Sequence, residues 1–482
     1  MSTARGKEPD GSIADNSPKN SELPRGIGLI QATSLNVANM VGIGPFITIP
    51  LFINTMRGPQ AMLGWVLGAV LVLCDGLVWS ELGAALPGSG GTYHFLREIY
   101  GRYRGGRLIA FLFIWQFLIS GTLELASGYI GGSTYLAYAL PNLEARLGEW
   151  GIPQGLSVCA AAAALVVALS LCRNIRSLAW LAVLLCAGTF LTMFIVIFAG
   201  LANFNASLLE FPPNAFRLDA AFAQGLGSAM LIAVYDYFGY YNVCHLGDEV
   251  VQPEKTIPRA VIISVVVVAV LYLTMNMAMI AVVPWQSIVA KIDNKQPIAI
   301  AADFMETLYG REVAVGFTAL ILWTAIASTF VMTLGYSRIL YAAARNGDFF
   351  RIFGYLHPLG RYPSVAILTI GSLTAVFCFF PLEVVIEAAV IVRIFVQFLG
   401  QIFGLHLLRK TRPDVALPFR MWLYPLPSLI AIAGWLFIVV AKFEYLSAAL
   451  IVFASGTLVF PLWQRYAAAR GPGDPRSAPK GS

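Results

Sequence analysis

The chain has 482 residues, of which 58% are hydrophobic and only 12% charged, with a mean hydropathy of +0.73. Soluble domains carry about 25% charged residues, so this composition excludes an ordinary soluble enzyme, a disordered chain and a secreted disulfide scaffold. The net charge of +6 does not point to nucleic acid, because the basic residues sit in short loops between apolar runs. What remains is a polytopic membrane protein. The first 26 residues are polar with no apolar core, so no cleavable signal peptide is expected. The six cysteines lie singly inside or at the edges of apolar runs and read as buried structural thiols, neither a disulfide framework nor a metal site.

A membrane helix needs about 20 mostly apolar residues. In chain order the runs 27–53, 61–86, 108–140, 156–171, 178–201 and 220–245 satisfy this, followed by 260–283, 313–344, 365–380, 384–408, 421–440 and 446–463. They predict an all-α integral membrane protein of twelve transmembrane helices. Strands of a membrane barrel are excluded, since the runs are long and continuous rather than alternating. Lys and Arg distribute unevenly: the N-tail, alternate loops and the C-tail hold 23 of the 32, and the other loops hold 7. The rich side is expected to be cytoplasmic, which puts both termini inside, at the cell (inner) membrane. Residues 1–26 and 467–482, rich in Ser, Pro and Gly, read as flexible tails around a transporter-sized domain at 27–466.

Two spans are interrupted. The first contains Val41-Gly42-Ile43-Gly44-Pro45-Phe46, and the sixth contains Tyr235-Asp236-Tyr237-Phe238-Gly239-Tyr240-Tyr241-Asn242. Inside a helix, glycine costs about 1 kcal/mol and proline about 3 kcal/mol relative to alanine. Such backbone is tolerated at membrane depth only where it is buried in protein or lines a cavity. The two interruptions lie five spans apart, as an inverted repeat of five plus five helices requires, with repeats at about 27–201 and 219–409 and two further helices at 421–463. Interrupted spans in matching positions of two halves point to a transporter binding site.

Further motifs accompany these breaks. They are Trp79-Ser80-Glu81-Leu82-Gly83 through Leu86-Pro87 to Ser89-Gly90-Gly91-Thr92-Tyr93, then Asp248-Glu249-Val250-Val251-Gln252-Pro253 with Thr256-Ile257-Pro258-Arg259-Ala260. Later come Ser337-Arg338-Ile339-Leu340-Tyr341 with Arg345-Asn346-Gly347, and Arg409 to Pro418-Phe419-Arg420 with Tyr424-Pro425. In this order, over residues 26–427, they resemble the amino acid–polyamine–organocation superfamily in its amino acid permease branches. The resemblance implies the leucine-transporter fold and import or exchange of amino acids by alternating access. It also implies that the substrate carboxylate meets backbone amides near Ile43 and Gly44, a helix N-terminus suited to an anion, with Gly42 in the binding break beside them. The ammonium would meet carbonyls of Asn39, Met40 and Val41 and of Tyr237 and Phe238 beside Gly239, with Tyr235 as an aromatic lid. Two departures stand out. Pro45 removes one N–H from the amide nest, and no Lys occurs between Lys19 and Lys255, so the lysine-based proton step of some relatives fails here; Thr189 and Thr192 occupy that neighbourhood.

Ser328 and Thr329 sit where sodium-coupled relatives of the fold place hydroxyl ligands, although such hydroxyls more often bond back to their own helix. No other metal site and no cofactor is expected. Asp248, Glu249 and Arg259 are expected to form a cytoplasmic charge network with Arg102 or Arg345. Among the charges that fall within spans, three carry the argument: Glu124, Asp236 and Arg393. Ionisable groups at this depth face a cavity or a partner. An Arg393–Asp236 pair closing an outer gate, with Glu124 left as an ammonium contact or proton carrier, is the expected arrangement. The leading reading is a secondary amino acid transporter, proton-coupled or exchanging. A polyamine or amine transporter of the same fold is the alternative and would favour the carboxylates Glu124 and Asp236 over the amide nest. A membrane receptor fits poorly because the tails are short, and an enzyme because no catalytic set clusters.

Overall fold

The structure is a computed structural model that describes residues 25–468 apart from Ser89, Arg104, Arg173, Asn174 and Leu359, with the side chains of 173–183 left out. Both tails foreseen from the sequence fall almost wholly outside the described residues. Every regular element among the described residues is helical.

The first half runs α1 (Leu29–Met40), α2 (Gly44–Met56), α3 (Met62–Ala85), α4 (Thr92–Tyr100), α5 (Gly106–Ala139), α6 (Leu143–Glu149), α7 (Gly155–Leu171) and α8 (Ile175–Ala202). The second runs α9 (Ala220–Asp236), α10 (Pro253–Ile280), α11 (Trp285–Asp293), α12 (Ile300–Tyr309), α13 (Arg311–Arg345), α14 (Ser364–Phe377) and α15 (Leu382–Arg393). A π-helical turn (Ile394–Leu399) joins α15 to α16 (Gly400–Thr411), and α17 (Leu426–Ala441) and α18 (Leu446–Ala468) follow. Among the described residues, six helices, α3, α5, α8, α10, α13 and α18, are long and apolar enough to cross a bilayer, and α1 with α2 would pass together as a seventh, bent by 51°. The short helices α4, α6, α11 and α12 lie in loops that the hydropathy pattern leaves blank, because their polar faces dilute the apolar signal.

The core forms around α5, which packs against α13, α15 and α7. Its small residues permit that closeness: a Cβ at Gly128 would fall 2.7 Å from Thr329 Cγ2, the approach that small residues allow between membrane helices. α3 lies against α9 and α10, and α1 runs along α10. Large apolar side chains stand exposed on the outside, among them Val166 and Leu169 on α7, Phe198 on α8, Val270 on α10 and Leu458 on α18. A water-facing surface rarely carries so much apolar area, whereas a lipid-facing one requires it.

At the end where the basic loops gather, the chain is tied by its backbone. The Gly26 and Ile27 amides donate to the Glu249 carbonyl at 2.9 and 3.0 Å, and the Val251 amide donates to the Ile27 carbonyl at 2.9 Å. Asp248 and Glu249 sit in a short 3-10 turn, and the Glu249 carbonyl accepts both amides. Two groups of ion pairs stand out at this end. The Arg409 guanidinium forks onto Glu81, with Nε–Oε1 and Nη2–Oε2 both 2.7 Å, and Glu81 Oε2 also accepts the Met421 amide at 2.8 Å. Asp348 meets Arg97 at 3.3 Å and Arg107 at 3.6 Å, because α4 and the start of α5 bring those arginines to the turn after α13.

Candidate functional site

Helix α1 stops at Met40, where Val41 turns extended (φ −78°, ψ 102°) and returns its amide to the Val37 carbonyl at 2.8 Å. The carbonyls of its last turn therefore lose their helical partners. Tyr272 on α10 meets one of them, donating its hydroxyl to the Met40 carbonyl at 2.5 Å. Helix α2 restarts at Gly44 with Pro45 in its first turn, a place where the missing N–H of proline costs nothing. The Phe46 amide turns back to the Ile43 carbonyl at 2.9 Å. The donors left at this terminus are the amides of Ile43 and Gly44.

Helix α9 ends at Asp236, and the chain continues through turns to the 3-10 segment Asn242–His245. Gly239, at φ +109°, packs on the backbone of Asn39; a Cβ there would lie 3.1 Å from the Asn39 carbonyl carbon. Asn36 on α1 locks the two irregular stretches together. Its side chain donates to the Tyr240 carbonyl at 2.6 Å and accepts the Val243 amide at 2.8 Å.

Between the two irregular stretches lies a cavity of about 40 Å³. Asn39, Met40, Gly42, Ile43 and Gly44 line it from one side, and Tyr235, Asp236 and Phe238 from the other. Glu124 and Gly128 of α5 and Ser328, Thr329 and Met332 of α13 complete the wall. Three residues read from the sequence as contacts do not line it. Val41 faces a smaller neighbouring pocket beside Ser328, Tyr237 is turned edge-on to Trp65, and Gly239 is spent on its contact with Asn39. Ligand pockets usually measure about 300–1,000 Å³, so this cavity is far smaller than a bound amino acid needs.

The charged residues pair differently from the sequence-based expectation. Arg393, the last residue of α15, is fully buried and bonds to the Glu124 carboxylate of α5; its Nε donates to Ser120 Oγ at 3.1 Å. Ser120 and Glu124 lie one helical turn apart on one face of α5, which makes a ready acceptor pair. The guanidinium also lies 4.7 Å from the Phe238 ring centroid and 5.7 Å from that of Phe117. Tyr336 of α13 adds a hydroxyl to Glu124 Oε2 at 2.5 Å. Asp236 instead turns to α2, where its Oδ2 accepts the Thr48 hydroxyl at 2.6 Å. The expected Arg393–Asp236 pair is thereby corrected: α9 stops at Asp236 with its carboxylate toward α2, and Phe238 covers the face of Arg393.

Tyr235 is 8% exposed, and its hydroxyl bonds to Ser127 of α5. Both α13 hydroxyls turn back on their own helix, Ser328 to the Ala325 carbonyl at 3.2 Å and Thr329 to the same carbonyl at 2.8 Å. The reading of the sequence missed Thr48, Ser120, Ser127, Tyr336, Asn36 and Tyr272. A hydroxyl or amide in an apolar span is a weak signal alone, but each of these faces a buried charged side chain, a phenol or an orphaned backbone group.

Residues 27–460 match the profile of a family described as amino acid permease. The chain belongs to that family. The permease is thus a multi-pass membrane protein. It is similar to the serine/threonine exchanger SteT of Bacillus subtilis, with 26% identity over 86% of this chain and 90% of the relative. Asc-type amino acid transporter 1 of Mus musculus is 27% identical over 87% of this chain and 77% of the relative. Cationic amino acid transporter 4 of Homo sapiens is 26% identical over 75% of this chain, a match that takes in 56% of that relative. These relatives are membrane transporters, not enzymes.

Proposed function

We propose that this permease is a secondary transporter that moves amino acids across the cell membrane by alternating access, coupled to protons or working by exchange. The observation that carries the reading is the meeting of the two helix interruptions, near Gly42 and near Gly239, at one small cavity. In this reading the chain makes twelve spans in the leucine-transporter arrangement, five plus five in inverted repeat with two more. The first and sixth spans are broken at mid-membrane, and the basic end with both termini faces the cytoplasm. A small cavity walled by two irregular segments is what an occluded intermediate requires, because each half-helix can move with its own repeat. The α13 hydroxyls, bonded to their own helix, support proton coupling or exchange over sodium. The relatives' substrates by name, serine and threonine in one and cationic amino acids in another, support an amino acid as cargo.

A second reading, an organic amine as cargo, is favoured by one observation: two carboxylates, Glu124 and Asp236, line the cavity. The test is uptake into proteoliposomes of labelled amino acids and amines under imposed proton or sodium gradients. Saturable uptake of at least one compound is expected, driven by a proton gradient or by a trans substrate. Uptake that requires sodium would overturn the coupling assignment, and no uptake of any compound would overturn transport.

A further inference from the structure

A second cavity, of about 360 Å³, opens at the basic end between α4, the start of α5 and the turn after α13. That volume is within the usual range of a ligand pocket, about 300–1,000 Å³, and the cavity shares no residue with the one between the helix breaks. Arg97, Glu98, Arg102, Arg107, Asn346 and Asp348 form its polar wall. Three guanidiniums stand there against two carboxylates, one positive charge in excess. Asp348 is spent inside the wall: it accepts the Tyr93 hydroxyl at 2.5 Å and meets Arg97 Nε at 3.3 Å and Arg107 Nη2 at 3.6 Å. One carboxylate cannot occupy two guanidiniums of five N–H donors each. It instead holds the two arginines side by side, with Arg97 44% and Arg107 61% exposed. Paired guanidiniums present the fork that phosphate oxygens fit.

The pocket adjoins lipid-facing surface. Arg107 lies over the Trp463 ring of α18, its guanidinium carbon 5.5 Å from the ring centroid. Next to Trp463, α18 exposes Leu462 by 62% and, one turn back, Leu458 by 75%. Tyr466 packs near Phe350, with ring centroids 6.2 Å apart. Trp and Tyr gather at the headgroup level of a bilayer, so the arginines stand at headgroup depth and the two leucines run from them toward the hydrocarbon. A soluble phosphate would use the arginines alone. A phospholipid uses both features, its phosphodiester among the arginines and an acyl chain along Leu462 and Leu458. The single surplus charge matches the one negative charge of a phosphodiester whose headgroup alcohol is uncharged, whereas a zwitterionic headgroup brings its own cation and gains less. Basic pockets between membrane helices recognise anionic headgroups in this way.

We propose that this pocket binds an anionic phospholipid, with Arg97, Arg102 and Arg107 on the phosphodiester and the outer face of α18 along an acyl chain.

The experiment uses the full-length protein, stripped of lipid in detergent, and follows binding by native mass spectrometry. The probes are phosphatidylglycerol and phosphatidylcholine with the same acyl chains, and glycerophosphoglycerol, which has the phosphatidylglycerol headgroup without chains. Phosphatidylglycerol should bind about 10-fold or more tighter than phosphatidylcholine. Arg102→Ala and Arg107→Ala should each weaken phosphatidylglycerol about 5-fold, the effect of one basic residue at a membrane surface, and leave phosphatidylcholine unmoved. Arg146→Ala, on α6 beyond the far end of α5, should change neither. Arg102 is exposed, and its substitution leaves Asp348 and both its arginines in place, so that variant decides the site should Arg107→Ala fail to fold. Equal affinity for the two lipids, or a phosphatidylglycerol affinity that Arg102→Ala does not lower, overturns the proposal. Glycerophosphoglycerol binding as tightly as phosphatidylglycerol overturns the lipid as occupant and makes the pocket one for a soluble phosphate.

Discussion

Arg393 bonds to Glu124 across the interface of α15 and α5, with the arginine side chain 0% and the glutamate 7% exposed. Each charge is the other's counter-ion in a place with little water. Removing one partner of such a pair typically costs about 3–5 kcal/mol, because the survivor is left charged and buried. Glu124→Gln should therefore lower the melting temperature in detergent, and the exchanged pair Glu124→Arg with Arg393→Glu should recover part of the loss. Glu124 also lines the cavity, so uptake discriminates its roles. Unchanged uptake with unchanged pH dependence in Glu124→Gln would confine the pair to holding helices together.

Gly44 should tolerate no side chain while Asp236 is present. The 2.2 Å separation from Oδ1 leaves no room for a Cβ, and the obstruction is a buried carboxylate rather than the end of a flexible chain. Gly44→Val is expected to abolish uptake while the protein still inserts. Gly44→Ala should do nearly the same, and combining it with Asp236→Ser should restore fold stability by vacating the contact. Gly42 faces a milder limit, a Cβ there meeting Ser328 Cβ at 3.0 Å, so Gly42→Ala should be the gentler change. Equal melting temperatures for Gly44→Ala with and without Asp236→Ser would show that the contact is not what constrains this position.

The architecture was legible where a rule of physics leaves few choices. Long apolar runs must be helices in lipid, and Gly42, Gly44 and Pro45 together in one run are expensive enough to mark an irregular stretch. Of the residues flanking those breaks, Asn39, Met40, Gly42, Ile43 and Gly44 on one side and Tyr235, Asp236 and Phe238 on the other border one cavity, while Val41 and Tyr237 do not. Side-chain pairing was not legible. Arg393, Glu124 and Asp236 were visible as intramembrane charges, yet which two would meet depended on helix rotation. Hydropathy cannot report that rotation, since all faces of a buried span are apolar. The role of Glu81 was hidden for a similar reason: its partner Arg409 lies 328 positions away in the chain. A motif shows that a residue belongs there without showing whom it touches.

Tyr235 should behave as a lid whose ring matters more than its hydroxyl. The ring lines the cavity, while the hydroxyl reaches away to Ser127 on α5. Tyr235→Ala should weaken apparent substrate affinity more than Tyr235→Phe, since Phe keeps the surface over the cavity and forgoes a single hydrogen bond worth about 0.5–1.5 kcal/mol. The check is the concentration of half-maximal uptake for both variants. Identical values would remove Tyr235 from the list of lid residues.

The Glu81–Arg409 fork should fasten the basic end of the molecule. Glu81 on α3 is 0% exposed and Arg409 on α16 is 18% exposed, and Glu81 also holds the Met421 amide ahead of α17. Three parts of the chain, far apart in sequence, thus share one carboxylate. Arg409 further stacks on Tyr424, its guanidinium carbon 3.7 Å from the ring centroid. Lysine has the charge but neither the fork nor the plane. Arg409→Lys should therefore lose part of the stability and Arg409→Gln more, since Gln leaves Glu81 buried without a counter-ion. Tyr424→Leu should fall between wild type and Arg409→Lys, because it removes the stacking and leaves both charge-assisted bonds. The ordering of melting temperatures, wild type above Tyr424→Leu above Arg409→Lys above Arg409→Gln, tests the fork and the stack together. If Arg409→Lys matched wild type, a point charge would suffice there, and the bidentate geometry would contribute nothing to holding this end closed.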